Sequence, residues 1–437
     1  MRRVLLVCPT SREYRDVPRL AAELGCEVVF DDFDGGYFDK VVLKGYTGPT
    51  LEIVPLIEAA IEKYAGGGIS GITSAVGYPG MSVVSIMARR LGLTGPDPDC
   101  ILRCEHKYYS RVAQKNLVPE ATPEFHLIDP LTPEDLSAVT RYPVFLKPVK
   151  SCMSMSAYKV YNREELERYV REALLPDGFL KPFNDMLSRY SAFDKHASCL
   201  LVESLLEGEQ VSLEGYVLGG KVHVMGIIDA VMFPGTYSFK RFQYPSRLPA
   251  EVQARMEGIA ERFISGIGYD NALFNIEMIY NPRTDEIHII EVNPKIASQF
   301  PDLFEKVDGT SSYSVLLQVA LGEEPVFRRG QGQFRLAGSC VLRTFEDQDV
   351  LAVPSQSQVE AVMRRFPDAK IQILASPGKR LSDQMQDVSS YRYGLVNIGA
   401  DSEAELEEKF ETCKGLLPFE FAPVPAPVQV SRPAVPV

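Results

Sequence analysis

The sequence predicts an α/β protein built from several domains, on three observations. The chain has 437 residues, a length that allows about two to four domains. Its composition, 45% apolar and 24% charged, is typical of globular proteins with substantial cores. Short apolar runs of strand length alternate with segments whose apolar residues recur at helical spacing.

Charge and composition exclude several classes of protein. The formal charge of −12 argues against binding to bulk nucleic acid or to an anionic membrane, and no apolar stretch approaches the roughly 20 residues of a membrane span. The run Val4–Cys8 is too short for a secretory signal and is typical of a first β-strand. Eight scattered cysteines without a Cys-x-x-Cys pair indicate free thiols, so we expect a cytoplasmic protein.

Residues 1–103 have the pattern of a first α/β unit. The runs RRVLLVC, CEVVFDDF and GGISGITSAV predict strands, and VPRLAAEL and LIEAAIEKY predict helices. Another helix is predicted within YPGMSVVSIMARRLGLTGPDP, where Gly92 ends it. The first strand-to-helix junction, CPTSREYRD, lacks Gly-x-Gly-x-x-Gly, and the chain has no Walker loop. A nucleotide therefore has to bind at another kind of site.

Three further segments follow. Residues 104–333 begin with the basic helical segment CEHKYYSRVAQKNL and end in a predicted hairpin, ALFNIEMIYN and EIHIIEVN, joined by NPRTDE. Residues 334–417 alternate strands such as GSCVLRTF with helices such as EAELEEKFETCKGLL. The Pro- and Val-rich residues 418–437 predict a disordered tail.

Polar residues alternate at the end of the last strand of that hairpin. In HIIEVNPKIASQF, Glu291, Asn293 and Lys295 lie two apart, so their side chains point to one face of the strand. Burying them is costly unless a partner compensates. Together with Glu277 on the preceding strand, they offer oxygen ligands suited to Mg²⁺. Taken alone, carboxylates on a solvated strand edge are a commoner explanation.

Other charged residues are ambiguous when considered singly. Lys147 ends an apolar strand and could meet an anion or extend to solvent, and Lys107 could simply be a solvated helical lysine. The loop SCMSMSA, with Ser154 and Ser156, could approach phosphate through backbone amides and hydroxyls. Glu203 and Glu209, in LVESLLEGEQ, are either ligand acceptors or surface charges.

The order of these residues resembles the ATP-grasp superfamily, in its biotin carboxylase-like and L-amino-acid ligase-like branch. The likeness extends over most of residues 1–400, and the Glu277 and Glu291–Asn293 pair is its most specific element. It implies an ATP-grasp fold with an N-terminal pre-grasp α/β domain (1–103), a central two-part α+β grasp domain (104–333) and a C-terminal α+β domain (334–417).

The resemblance also implies ATP as a cofactor. Its phosphates would be bound by Lys107, Lys147, Ser154 and Ser156. Its adenine would be bound by Glu203 and the backbone near Leu206, and its ribose by Glu209.

For the metal and the transferred group, the resemblance implies a second set of residues. Glu277, Glu291 and Asn293 would ligate Mg²⁺, with Mn²⁺ as an alternative. Lys295 would contact the γ-phosphate or the acyl-phosphate formed from it, and Arg343 would stabilise that intermediate.

Three departures from relatives bear on the reaction. Many relatives have Arg where Lys295 stands, and their phosphate loop is Gly-rich rather than SCMSMS. Biotin carboxylases place a glutamate base where this chain has Gln299, and a neutral amide cannot take a proton from bicarbonate. No biotin-accepting Met-Lys-Met sequence is present. Biotin-dependent carboxylation is therefore disfavoured.

The function implied is an ATP-dependent carboxylate–amine ligase that forms an acyl-phosphate and releases ADP. The alternatives are a biotin carboxylase-type enzyme and a non-catalytic ATP-binding protein on the same fold. We expect small carboxylate and amine substrates as partners, and a homodimer is what relatives tend to form. In the aromatic loop 231–249, Arg241 is a candidate substrate clamp, although aromatic packing alone explains that loop equally well.

Overall fold

The computed structural model describes residues 1–41, 48–130, 132–152, 155–173, 175–384 and 390–423. The strands are β1 (Arg2–Val7), β2 (Cys26–Asp31), β3 (Gly71–Thr73), β4 (Phe125–Ile128), β5 (Val144–Pro148), β6 (Tyr158–Val160), β7 (Leu200–Ser204), β8 (Glu209–Leu218), β9 (Lys221–Met232), β10 (Phe239–Tyr244), β11 (Ala272–Asn281), β12 (Glu286–Asn293), β13 (Leu336–Thr344), β14 (Gln348–Ala352), β15 (Lys370–Ile373), β16 (Tyr391–Ala400) and β17 (Glu420–Pro423). The helices are α1 (Ser11–Glu23), α2 (Tyr37–Val41), α3 (Ile53–Tyr64), α4 (Ser82–Leu91), α5 (Pro98–Glu105), α6 (Lys107–Leu117), α7 (Arg163–Glu172), α8 (Asp177–Tyr190), α9 (Ala250–Gly266), α10 (Pro301–Asp308), α11 (Ser312–Ala320), α12 (Gln356–Arg365) and α13 (Glu403–Leu416).

The strands of the first two units form three sheets with different roles. A parallel sheet, β2-β1-β3, opens the chain, and an antiparallel sheet, β4-β7-β5-β6, forms one part of the central domain. The other part belongs to an eight-stranded antiparallel sheet in the order β12-β11-β8-β9-β10-β13-β16-β15. The two-part central domain that the sequence predicts is therefore present.

The eight-stranded sheet continues across the boundary expected at residue 334. Strand β10 of the central domain pairs with β13, and β13 pairs with β16, so the C-terminal unit extends the sheet of its predecessor. Arg241 on β10 also forms ion pairs with Glu403 and Glu407 of α13, at 3.2 Å each. The expected boundary therefore separates two parts of one hydrogen-bonded sheet.

The tail expected from residue 418 is wrong for its first residues. Glu420–Pro423 is strand β17, which pairs with β14, and the rings of Phe419 and Phe421 lie 4.8 and 5.1 Å from that of Tyr393. Aromatic packing of this kind stabilises a strand that composition alone classed as disordered. Residues 424–437 lie outside the described part of the chain.

Helix α1 begins at a capping box. Thr10 accepts a hydrogen bond from the backbone of Arg12, and the Glu13 carboxylate accepts from the Thr10 amide at 2.7 Å. These bonds satisfy backbone donors that the first turn would otherwise leave unpaired. They also fix the first turn of the helix, which carries Arg12. None of the helices in the described residues has the length and apolar character needed to span a bilayer.

Candidate active site

Six polar residues form a two-by-three grid on three neighbouring strands. Strands β8, β11 and β12 are paired so that residues in register share a face. The two rows across the sheet are Ser212–Glu277–Glu291 and Glu214–Asn275–Asn293. On β11, Ile276 between Asn275 and Glu277 and Met278 after Glu277 are fully buried on the opposite face. The alternation therefore collects six polar side chains on one face.

Glu277 and Glu291 occupy opposite positions in the first row. Glu277 accepts hydrogen bonds from Gln210 at 3.1 Å and from Asn293 at 3.4 Å, and Glu291 lies 3.1 Å from Lys107 Nζ. Burial and the charge of Glu291 raise the pKa of Glu277 to about 7. Burial opposes ionisation of Glu291 too, but Lys107 and Lys147 outweigh it and lower its pKa. The pair therefore holds a proton near neutral pH, mainly on Glu277.

These oxygens fit a hard cation. Two facing carboxylates repel each other, and the Asn293 amide beside them supplies a further oxygen. Within the described ranges, no group of three or more His, Cys, Asp or Glu side chains could hold a metal. The site thus offers two carboxylates plus an amide, a donor set suited to Mg²⁺ completed by substrate phosphate oxygens.

Behind the grid lies a second, deeply buried cluster centred on Glu203. Lys147 Nζ is 2.7 Å from Glu203 Oε2, and Arg111 pairs with the same carboxylate and donates to the Ile290 carbonyl at 2.8 Å. Burial opposes ionisation of Glu203, but Arg111 and Lys147 lower its pKa to about 2. Burial also lowers the pKa of Lys147. The cluster fixes Lys147 and links β5, β7, α6 and β12.

A further charged pair of the central domain packs against the first unit through Tyr78. Lys150 pairs with Glu105, and its ammonium lies 4.3 Å from the centre of the Tyr78 ring and 4.7 Å from that of Phe183. Lys107 is positioned nearby by its backbone N–H, which donates to the Val149 carbonyl at 2.8 Å. Both lysines are thereby oriented by fixed partners.

Lys295 and Glu214 complete the polar face. Lys295 Nζ donates to the Ile296 carbonyl at 3.3 Å, and an added Cβ on Gly77 would lie 3.3 Å from Lys295 Cδ and 2.5 Å from Glu105 Oε1. Only glycine leaves room there for both side chains. Glu214 is fully buried and accepts from the Ala297 amide, and burial raises its pKa to about 8. Glu214 is therefore protonated near neutral pH.

The remaining expected residues are placed as follows. Ser154 lies outside the described residues. Ser156 lies on the β5–β6 connection with φ of 56°, and Glu209 is exposed at the start of β8, just after the half-buried Leu206. At its exposed position, Glu209 can reach a ribose, the contact expected of it. Glu203, expected to accept from adenine, pairs with Arg111 and Lys147.

The two arginines expected at the substrate end are held by protein partners. Arg343 on β13 lies opposite Arg392 and donates to Ser390, which contacts Ser238 at 2.5 Å. The Arg241 guanidinium donates to Gln243 at 2.9 Å as well as to α13. Arg241 thus joins β10 to α13, and its charge is compensated there by Glu403 and Glu407 instead of pointing to a substrate clamp.

Sequence reasoning missed several residues of the site. Ser212 and Glu214 in QVSLEGYV show the same alternate spacing that identified Glu291 and Asn293, so that signal was available. Asn275 precedes Glu277 by two residues and could have been found in the same way. Arg111 is one of several basic residues of α6, and only the tertiary structure distinguishes it.

A family model for the ATP-grasp domain matches residues 140–300. This segment contains β5 to β12 and therefore the grid, together with Lys147 and Glu203 of the second cluster. The chain thus contains an ATP-grasp domain, within an ATP-grasp fold that extends over nearly all of it.

Three known proteins show the extent of the similarity. An L-amino acid ligase from Bacillus licheniformis superposes with a TM-score of 0.74 at 18% identity, over 97% of this chain and 99% of that one. The biotin carboxylase domain of Hydrogenobacter thermophilus 2-oxoglutarate carboxylase, solved with MgADP and bicarbonate, gives 0.65 at 15% identity, over 96% and 90%. The C-terminal section of the carbamoyl phosphate synthase large chain from Methanopyrus kandleri is 25% identical over 250 residues, which are 55% of this chain and 42% of that protein. The chain therefore spans less than half of that relative's length.

Proposed function

We propose that this protein is an ATP-dependent carboxylate–amine ligase that forms an amide bond through an acyl-phosphate and releases ADP and phosphate. The observation that supports it is the grid, in which Glu277, Glu291 and Asn293 face the ammonium groups of Lys107 and Lys295. An oxygen-rich metal site next to fixed cations is the arrangement that phosphoryl transfer requires.

Each residue has a separate task in this proposal. Mg²⁺ bound by Glu277, Glu291 and Asn293 would neutralise charge on the ATP phosphates. Lys107 exchanges its bond to Glu291 for phosphate oxygens, and Lys147 contacts phosphate while Glu203 and Arg111 keep it in place. Lys295, half-buried and without an ion-pair partner among the described residues, neutralises the transferred group as a point charge.

The proposed reaction has two steps. A carboxylate oxygen of the acid attacks the γ-phosphorus, and the bond from that phosphorus to the ADP oxygen breaks. The amine nitrogen then attacks the acyl carbon, inorganic phosphate leaves with the carbon–oxygen electron pair, and the nitrogen loses a proton. Closure of the cleft limits hydrolysis of the acyl-phosphate.

Gln299 separates this reaction from carboxylation of biotin. Its amide donates to Ser339 at 2.8 Å, so it is oriented by the protein and has no basic group to accept a proton. A reaction with an amine acceptor does not use bicarbonate, so it does not need the base that deprotonates bicarbonate. Gln299 therefore supports the ligase over the carboxylase.

The test is release of phosphate from Mg-ATP with a panel of amino acids, small carboxylates and amines, with ADP and AMP resolved. We expect ADP formation that requires both an acid and an amine and is lost in Glu291→Gln. The matched control is Glu286→Gln, at the exposed start of the same strand, which should retain activity. AMP as the product, or turnover that needs no amine, would contradict the proposal.

A further inference from the structure

A narrow cleft, about 370 Å³ when its part open to solvent is included, lies where three parts of the chain meet. One wall is α1, the second is the segment after β12, and the third is formed by β15 and β16. Its polar lining includes Arg12, Ser298, Gln299, Tyr313, Gln372 and Asn397. Because Ser298 follows Lys295 by three residues, the cleft adjoins the proposed transfer site.

Arg12 is the distinctive group in this lining. Its Nε donates to Gln372 Oε1 at 3.0 Å and its Nη1 to Ser298 Oγ at 3.2 Å, both neutral acceptors. Among the residues the structure describes, no carboxylate forms an ion pair with Arg12, and its Nη2 has no hydrogen-bond partner. Arg12 is half-buried, and this burial lowers the pKa of its guanidinium. Such a cation is costly to bury until an anion pairs with it.

The other charges around the cleft already have partners. Arg15 pairs with Asp16 at 2.8 Å, and Lys370 pairs with Asp302 at 2.8 Å. The Glu13 carboxylate accepts from Thr10 and from the Tyr313 hydroxyl. Tyr313 and Glu13 raise the pKa of Arg12, whereas Arg15 and Arg392 lower it. Because the Glu13 carboxylate is bonded to Thr10 and Tyr313 and does not pair with Arg12, the guanidinium can still pair with an anion in the cleft.

The segment 295–299 connects this cation to the polar grid. The Ala297 amide donates to Glu214 on the grid side, and Ser298 accepts from Arg12 on the cleft side. Gln299 is anchored to Ser339 of β13. A molecule held at Arg12 is thus separated from Lys295 by one short stretch of chain.

We infer that the Arg12 cleft binds an oxyanion, a carboxylate or a phosphate, that is carried by the amine substrate. This inference rests on the proposed ligase function. The acid's reacting carboxylate has to lie at the metal and Lys295, so the oxyanion at Arg12 belongs to the acceptor. The acceptor is then an amino acid or a phosphorylated amine, rather than ammonia or a neutral amine. A guanidinium can bind either oxyanion through two parallel hydrogen bonds.

The kinetic test compares matched amines in the full-length protein. Each amino acid of the panel is paired with its carboxamide, and O-phosphoethanolamine with ethanolamine, so that the members differ in the oxyanion. We expect ligation with one oxyanion class, and an increase of about 10- to 100-fold in its KM for Arg12→Gln with the KM for ATP unchanged. Arg12→Lys, which keeps the charge and loses the fork, should raise it less. Arg19→Gln, an exposed residue of the same helix whose cation pairs with Glu23 and Glu305 outside the cleft lining, should leave it unchanged.

A binding measurement separates this inference from the ligase itself. The melting temperature is recorded with each amine in the absence of ATP, for the wild type and for the folded variants. An oxyanion-dependent rise in the wild type and Arg19→Gln, absent in Arg12→Gln, would support the cleft even if no ligation occurred, and only the ligase would then fail. Equal use of neutral amines, a rise in the KM of the acid instead of the amine, or no oxyanion-dependent change in either assay would overturn the inference.

Discussion

Glu277 and Glu291 face each other across β11 and β12, and the charge of Glu291 contributes to the raised pKa of Glu277. Lys107, 3.1 Å from Glu291, decides which of them ionises first, so Glu277 keeps the proton. A metal ion takes ionised carboxylates, and its binding therefore has to displace this proton.

We expect Mg²⁺ to bind more tightly as pH rises from 6 to 8, because the pKa of Glu277 is raised to about 7 by burial and by Glu291. Close to one proton should be released per metal at pH 6 and few at pH 8. Isothermal titration calorimetry in two buffers of different ionisation enthalpy measures this, without nucleotide, whose phosphates also titrate. Equal proton release at both pH values, or an unchanged slope in Glu277→Gln, would exclude this role.

Glu214 gives a second prediction at the residue scale, on stability. Its pKa is about 8 in the folded protein because the carboxyl is buried, against about 4.3 in an unfolded chain. A raised pKa contributes stability that is complete below about 4.3 and is lost as pH rises through about 8. The free energy of unfolding should therefore fall between pH 5 and 8 by up to about 1.4 kcal/mol per unit from this group.

Glu214→Gln keeps a neutral side chain of similar shape and removes that titration. Urea unfolding at several pH values should show the variant gaining stability relative to the wild type as pH rises. Parallel curves for the two proteins would mean that Glu214 is already ionised in the folded state.

At the scale of elements, the Glu203 cluster joins four of them. Lys147 comes from β5, Glu203 from β7 and Arg111 from α6, and Arg111 also reaches the Ile290 carbonyl of β12. All three side chains are at most 8% exposed, so each charge depends on the others. Removing one charge leaves the rest buried without compensation.

Glu203→Gln should accordingly destabilise the protein by about 3 to 5 kcal/mol, since Arg111 and Lys147 would retain unpaired charges. The measurement is the free energy of urea unfolding. The control is Glu167→Gln, which breaks a surface pair with Arg163 on α7 at 2.7 Å and should cost less than about 0.5 kcal/mol. Similar losses in both variants would show that burial does not strengthen the Glu203 cluster.

The sequence predicts features that depend on neighbouring residues and misses features that depend on residues far apart in the chain. The alternation at Glu291 and Asn293 is local, and it indicated a polar face that the structure confirms. The partners of Arg241 lie about 160 residues further on, in α13, so a sequence pattern could not reveal that its charge is taken. For β17, the proline content suggested disorder, while the packing of Phe419 and Phe421 on Tyr393 depends on the tertiary fold.

At the scale of the whole molecule, one sheet joins the half that carries the grid to the C-terminal unit. Strands β12, β11 and β8 carry the grid, and the same sheet continues through β10 to β13, β16 and β15. Four residue pairs connect β10 to β13, and the ion pairs of Arg241 with α13 reinforce this connection. Separating the two halves would expose a sheet edge and leave these charges without partners. We therefore expect the two halves to unfold together.

The chain contains no tryptophan, so a single introduced one reports locally. Tyr280→Trp in β11 and Tyr393→Trp in β16 replace half-buried aromatic residues in the two halves. We expect the same urea midpoint from both, and an equal shift of both with a non-hydrolysable ATP analogue and Mg²⁺, because a ligand of the folded state stabilises the whole cooperative unit. If the analogue shifted only the Tyr280→Trp transition, the sheet would join two independently unfolding domains, and nucleotide binding at the grid would not stabilise the cleft formed with β15 and β16.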